Sequence, residues 1–192
     1  MRTPEHTTAE LFPRYLKGEM VADSAACAWP GLFVRHYHLS RVVDRLFVPA
    51  TVEPLIACII SGAAEFQERA IGGTWSSSRR LQRADVFVTW SKTPYELRWR
   101  SPLGSELEVI HIHLGLDQCR SAFESVYKGR ANPVEVIEFF GRDEILANLC
   151  FACAKMLSAQ TPGTSKRVAA IADLLAIHIA EKYTNLAPQK AD

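Results

Sequence analysis

Between Leu32 and Leu114 apolar and polar positions alternate in short runs: LFVRHYHL, PLIACIIS, AEFQERAI, TWSSSRRL, DVFVTW, YELRWR and ELEVIHIHL. Turn formers separate them, at Pro49 to Pro54, Ser61-Gly62, Gly72-Gly73, Ser91 to Pro94 and Ser101 to Ser105. About seven or eight strands with no helix between them predict an antiparallel sandwich or barrel. After Leu114 the period lengthens to that of a helix. LDQCRSAFESVYKG reads as a helix from Asp117 to near Gly129, VEVIEFF as a last strand, and RDEILANLCFACAKMLSA and SKRVAAIADLLAIHIAEKY as two further helices. The opening residues read as an arm with one short helix that Pro13 interrupts.

The last helix is apolar on more than one side. Val168, Ile171, Leu175 and His178 mark one face, while Ala172, Leu174, Ile177 and Ile179 spread the arc well beyond the ~100° stripe that covers a single core. Two partners are expected, the preceding helix and a second copy of the chain, so Val168, Ile171, Leu175, His178 and Ile179 are the candidate dimer interface. The alternative is a helix buried within one domain.

Composition narrows the class. With 192 residues and 48% apolar content the chain can bury a substantial core. Its 22 basic and 21 acidic residues, net charge +1, are scattered without a basic block, which argues against this chain holding nucleic acid by itself. No run of 18 apolar residues occurs, and the first 20 residues carry charges and two prolines, so a soluble, cytoplasmic protein without membrane association is expected. Five cysteines, an odd number, fit reduced thiols. Cys150 and Cys153 have redox or zinc spacing, but they fall on an apolar helix without a second pair and read as buried small hydrophobes.

The stretch LQRADVFVTWSKTPYELRWR, residues 81–100, resembles a pattern of the AraC/XylS family of transcription regulators. IISG before a hairpin, VIHIHL as a closing strand and AIHIAEKY at the end of the last helix support it. The resemblance covers the chain from about residue 30 and implies the family's N-terminal effector-binding and dimerisation domain. That domain is mainly β with C-terminal helices: a cupin-like antiparallel barrel of jelly-roll type followed by a helical dimerisation segment. The implied organisation is an arm at 1–30, the barrel at 31–115, the helices at 116–184 and a linker at 185–192. The family's DNA-binding half, two helix-turn-helix units, should follow that linker, and the last helix presents Ala, Leu and Ile where a reading helix needs polar groups. The chain is therefore expected to be the sensor half: DNA contact through the missing half only, a small organic effector, a homodimer, and no enzymatic activity. Departures from the pattern are Ala84 at the usual glycine, Trp90 and Ser91 at two prolines, and Tyr95 at the histidine that metal-dependent cupins use as a ligand. Their first metal motif would fall in VPATVEP, which has no histidine.

Residues i and i+2 of a strand share a face. Tyr95, Leu97 and Trp99 therefore oppose Glu96, Arg98 and Arg100, and Val109, His111 and His113 oppose Glu106 and Glu108. A barrel turns its charged face outward, so the aromatic and imidazole sides are expected to wall an effector pocket. In the resemblance, too, the positions of Tyr95, Leu97, Val109 and His111 line the effector cavity. His36 is added as a ligand contact, and Arg35, Trp29 and Trp75 are further pocket candidates. His36 and His38 could complete a metal shell with His111 and His113 only with a suitable carboxylate or cysteine beside them, and the expectation is no metal and no cofactor. A core role for the histidines, each bonded to a carbonyl or to Tyr95, stays open beside ligand contact. A cupin enzyme working through His111 and His113, and a dimerising sensor with a filled barrel, are the alternatives. Glu65, Glu68, Glu106 and Glu108 read as solvated strand carboxylates.

Overall fold

The computed structural model describes residues 6–128 and 135–186. The chain opens with β1 (His6–Thr7), a 3₁₀ turn at Phe12–Tyr15, and β2 (Gly18–Asp23). A run of strands follows: β3 (Leu32–Leu39), β4 (Val42–Val48), β5 (Ala50–Thr51), β6 (Leu55–Ser61), β7 (Ala63–Ala70), β8 (Arg79–Gln82), β9 (Asp85–Thr89), β10 (Tyr95–Arg100) and β11 (Leu107–Leu114). The chain then forms α1 (Leu116–Tyr127), β12 (Phe139–Arg142), α2 (Glu144–Ser158) and α3 (Thr164–Lys182). A six-stranded sheet ordered β12-β9-β6-β11-β3-β2 faces a four-stranded sheet ordered β4-β10-β7-β8, and every pair within them is antiparallel. This is the antiparallel barrel that the alternation of the sequence predicts, in the jelly-roll-like form with C-terminal helices that the resemblance implies.

Two cores lie on the two sides of the larger sheet. Val43, Leu46, Val48, Leu55, Ala57, Ile59, Phe66, Trp99 and Val109 pack between the sheets. Val34, Ile56, Cys58, Val86, Val88, Ile110, Ile112 and Leu114 project the other way onto the helices, where they meet Leu146, Cys150, Cys153, Val168 and Leu175. Strand β11 is thus buried on both faces, and its run VIHIHL is apolar in both registers for that reason. The CFAC cysteines are free and buried in the helix–sheet core, where burial pushes the Cys153 thiol up to about 12.

The helical layer corrects one expectation. Val168, Ile171, Leu175 and Ile179 are 0 to 8% exposed and pack inside the domain, so they cannot form an interface with another chain. His178 Nε2 donates to the Asp143 carboxylate at 2.9 Å and is likewise occupied within the domain. The physical reason is that α3 packs against α1, α2 and the sheet together, so the wide apolar arc meets partners of its own chain. Asp143 gathers this layer: it caps α2 by accepting from the Leu146 amide at 3.0 Å, and it also accepts from Lys182 at 2.8 Å and Tyr183 at 2.5 Å. Burial would raise its pKa, but the hydrogen bonds from Lys182, Tyr183 and His178 outweigh that and hold the carboxyl far below the usual range.

The arm is more structured than its sequence indicates. β2 pairs with β3 as an edge strand, β1 pairs in parallel with β5, and Pro13 opens the 3₁₀ turn rather than breaking a helix. The proposed linker from residue 187, the start of VEVIEFF at 134 and the helix stop at Gly129 lie outside the described residues. Only Phe139–Arg142 of that region pairs as a strand, with β9.

Two turns fix the hairpins. Gly62 has φ +83°, and a Cβ there would stand 2.0 Å from the Glu106 carbonyl oxygen, so only glycine fits. Ala84, in the turn between β8 and β9, has φ +71°, a left-handed conformation in which its Cβ is strained. Ala84→Gly is expected to raise stability by about 1 kcal/mol, read as a higher denaturant midpoint at unchanged slope.

Candidate functional site

Strand parity places the barrel-facing side chains. Directly opposed residues of antiparallel strands share a face. β11 therefore lays Val109, His111 and His113 beside Tyr37, Arg35 and Phe33 of β3, and beside Ile59, Ala57 and Leu55 of β6. On the other sheet β10 contributes Tyr95, Leu97 and Trp99, with Phe66 of β7 opposite Trp99. Between the sheets lies a cavity of about 480 Å³, within the range of small-molecule sites. Its wall includes Tyr95, Leu97, Trp99, Val109 and His111. The Trp99 indole N–H donates to the Ser40 carbonyl at 2.8 Å, which leaves its ring as apolar wall.

Three placements differ from the sequence reading. His36 pairs with Ile110, so its side chain leaves on the opposite face of the sheet and does not reach the cavity. His113 shares the barrel face of His111 but lies beneath the Phe12 ring, 5.2 Å between centroids, and is not part of the cavity wall. Glu68 is two residues from Phe66, faces the cavity and pairs with Arg79 instead of standing in solvent. Of the further candidates, Trp29 is in the helix-side core, and Trp75 lies under the guanidinium groups of Arg69 and Arg98 at 4.3 and 4.4 Å. Glu96, on the outward face, is nonetheless buried: Arg45 and Arg69 clasp it and, against the effect of burial, hold its pKa below the ordinary value.

The arm supplies wall residues that alternation in the strands does not reveal. Phe12 and Leu16 close one side of the cavity, and Phe12 stacks tilted on His111 at 5.7 Å. Arg35, 3% exposed, holds the arm there. Its Nε donates to Asp23 at 3.0 Å, its Nη2 to the Glu10 carbonyl at 3.2 Å, and its Nη1 to the Ala9 carbonyl. Phe66, Phe87 and Phe140 form a second aromatic wall, with the Arg79 guanidinium 4.8 Å from the Phe140 ring. The apolar pair Leu11-Phe12 directly before Pro13 is the sequence feature that could have pointed to this contact.

The polar groups of the interior are short of partners. Nδ1 of His111, both ring nitrogens of His113 and the Tyr37 hydroxyl are buried without a hydrogen-bond partner in the protein. Burial, reinforced by the Arg35 charge, lowers the His111 pKa to about 3, and burial with His111 and Arg35 drives His113 well below 6.5. Burial likewise raises the Tyr37 phenol to about 12, and burial with the nearby Glu138 and Glu68 carboxylates raises that of Tyr95. The interior thus holds neutral imidazoles beside the buried Arg35 cation, with Glu68, Arg69, Arg79 and Glu138 as the charged groups of the cavity lining. It does not fit the cupin metal: Tyr95 stands where the ligating histidine would, no carboxylate or cysteine joins His111 and His113 among the described residues, and the buried Arg35 cation opposes a second positive charge.

No protein-family profile and no curated protein matches the chain. Solved structures do. Apo ToxT K231A from Vibrio cholerae strain SCE256 superposes with TM-score 0.53 at 12% identity, over 79% of this chain and 56% of that one. The fold is the one ToxT carries. Wild-type ToxT from the same strain, bound to an unsaturated fatty acid, gives 0.51 at 13% identity over 80% and 56%. ToxT from strain O395 bound to (E)-4-(8-methylnaphthalen-1-yl)but-3-enoic acid gives 0.50 at 12% identity over 80% and 58%. At 12 to 13% identity the likeness is one of fold. The chain spans a little over half of ToxT's length. No helix among the described residues is long and apolar enough to cross a membrane.

The His111 shift sets a pH dependence. A folded pKa of about 3 against an ordinary 6.5 means that the unfolded chain binds the extra proton, so stability is lost as pH falls from about 6.5 toward 3. The slope is about 1.4 kcal/mol per pH unit for a single group in the middle of that window. Denaturant titrations at pH 7 and 5 should differ more for the parent protein than for His111→Phe.

Proposed function

We propose that the chain is the ligand-sensing and dimerisation part of an AraC-type transcription regulator, and that it binds a small organic effector inside the barrel. The observation that carries this reading is the cavity: about 480 Å³, walled mostly by aromatic and aliphatic side chains, with His111 and Tyr95 among its polar points, Glu68, Arg69, Arg79 and Glu138 as the charged groups of its lining, and the arm closing one side. A ligand oxygen bonded to the His111 ring where it lines the cavity would offset part of the cost of burying the imidazole, about 1–3 kcal/mol for a polar group without a partner. The effector is accordingly an apolar or aromatic molecule with one hydrogen-bonding end. The two compounds seen in ToxT, an unsaturated fatty acid and a naphthyl butenoic acid, have that form. Binding is transmitted by the arm: an effector that prefers the barrel with Phe12 in place shifts the arm's equilibrium, a coupling typically worth ~1–3 kcal/mol. DNA contact belongs to a partner domain, and the protein works in the cytoplasm without catalysing a reaction.

Homodimerisation belongs to the same proposal, on a different face of α3. Leu174 and Ile177, 54% and 38% exposed, lie with Ala170 on the side away from the core, flanked by Arg167 and Glu181. An antiparallel pair of α3 helices around a two-fold axis at Leu174 brings Arg167 of one copy toward Glu181 of the other, so the surface is self-complementary. Leu174→Glu with Ile177→Glu should give monomers by sedimentation velocity; a dimer that survives both places the interface elsewhere.

Ligand binding is read through the wall itself. Titration with a cis-unsaturated fatty acid and with naphthyl carboxylic acids should change Trp99 fluorescence saturably at one site, and Ala57→Trp, which fills the cavity, should abolish the change. A response that persists in Ala57→Trp, or none with either class, refutes binding in the barrel.

A further inference from the structure

The outward face of the same two strands holds a cluster that the cavity does not use. His36 and His38 of β3 share that face, and the register sets Glu108 of β11 directly opposite His38. Glu108 Oε2 is 3.0 Å from His36 Nε2, and its Oε1 is 3.6 Å from His38 Nε2. One ligand atom from each of the three lies within 4.8 Å of the others. Four ligands held about 2.0–2.2 Å from zinc stand roughly 3.3 Å apart, so a small contraction brings three donors to bonding range. Two imidazoles and a carboxylate are the donor set of borderline divalent ions, and they would leave the remaining positions to water.

The surroundings favour a cation. The side chains are 14, 43 and 26% exposed for His36, His38 and Glu108, so the cluster is open to solvent on one side and supported on the other. Glu19 of β2 is registered opposite His38, and Glu19 and Glu106 line the same groove as His38 and Glu108, with Arg41 the cation among its walls. The register slips by one residue on both neighbours of the site, between Met20 and Ala22 of β2 and where β6 meets Glu108 and Val109. Such bulges re-aim side chains. The rings of His36 and His38 are perpendicular at 5.9 Å, a splay that lets both nitrogens point at one position beside the carboxylate.

We infer that His36, His38 and Glu108 bind a divalent transition ion of the zinc class on the outer face of the barrel, separated from the cavity by the thickness of the sheet. The ion ties β3 to β11, the strands that carry Arg35 and His111 on their other side. The inference stands apart from the effector reading, since it uses none of the cavity residues.

Untagged, chelator-treated full-length protein is titrated with Co²⁺ and with Zn²⁺. One equivalent of Co²⁺ should give visible d–d absorption that Zn²⁺ displaces, with a matching single-site heat by calorimetry. His36→Ala, His38→Ala and Glu108→Gln should each weaken binding by about tenfold or more, and His6→Ala and Cys27→Ala should leave it unchanged. Far-UV circular dichroism checks that each variant is folded, and Glu108→Gln keeps shape while removing the charge. Absence of one-site binding in the parent protein, or binding that survives His36→Ala with His38→Ala, overturns the site.

Discussion

Strand β11 is the constraint on which the rest of the structure depends. It runs through the middle of the larger sheet with the barrel on one side and three helices on the other, so from Val109 to Leu114 both of its sides are buried and carry no acidic or basic chain beyond two neutral imidazoles. Because side-chain period in a strand is two, a slip of one residue would send Ile110 and Ile112 into the barrel and His111 and His113 into the helix core, where their nitrogens would have no outlet. The register is therefore fixed by two cores at once. Everything proposed for either face inherits its position from that double burial.

The barrel interior shows what such a fold can hold. Most of its wall is hydrocarbon, His111 is neutral because burial makes its charged form expensive, and the charged side chains of the wall, Glu68, Arg69, Arg79 and Glu138, are none of them fully buried. Arg35 is the buried cation, and it is spent on the arm rather than on the cavity: its donors go to Asp23 and to two backbone carbonyls of residues 9 and 10. The cavity and the arm thus share one boundary, the Phe12 ring, which touches the imidazoles on one side and is held by the guanidinium clasp behind.

Much of this was legible in the sequence, for reasons that can be named. The β10 and β11 runs alternate cleanly, so the inward set Tyr95, Leu97, Trp99, Val109 and His111 follows from parity alone, and the three helices follow from their 3.6-residue period. The strand β4 was missed because Asp44-Arg45 interrupts VVDRLFV, and β2 because GEMVAD is an exposed edge strand with no buried face to impose a pattern. His36 was assigned to the wrong side because the pairing of β3 with β11, which decides its face, is a long-range register that no local pattern encodes. The same ignorance hid Glu108 as the carboxylate beside the first histidine pair. For α3 the apolar arc is as broad as its sequence indicates, but which part of it meets its own domain depends on how α1 and α2 dock, and that buries Leu175 and leaves Leu174 exposed.

The clasp on the arm has one further consequence. Because Arg35 grips carbonyl oxygens at residues 9 and 10, it reads the course of the main chain and is blind to which side chains those residues carry. Substitution at the exposed Glu10 is cheap, whereas inserting or removing one residue between Ala9 and Phe12 would carry the ring out of step with its anchor. The arm is tuned by its length more than by its letters.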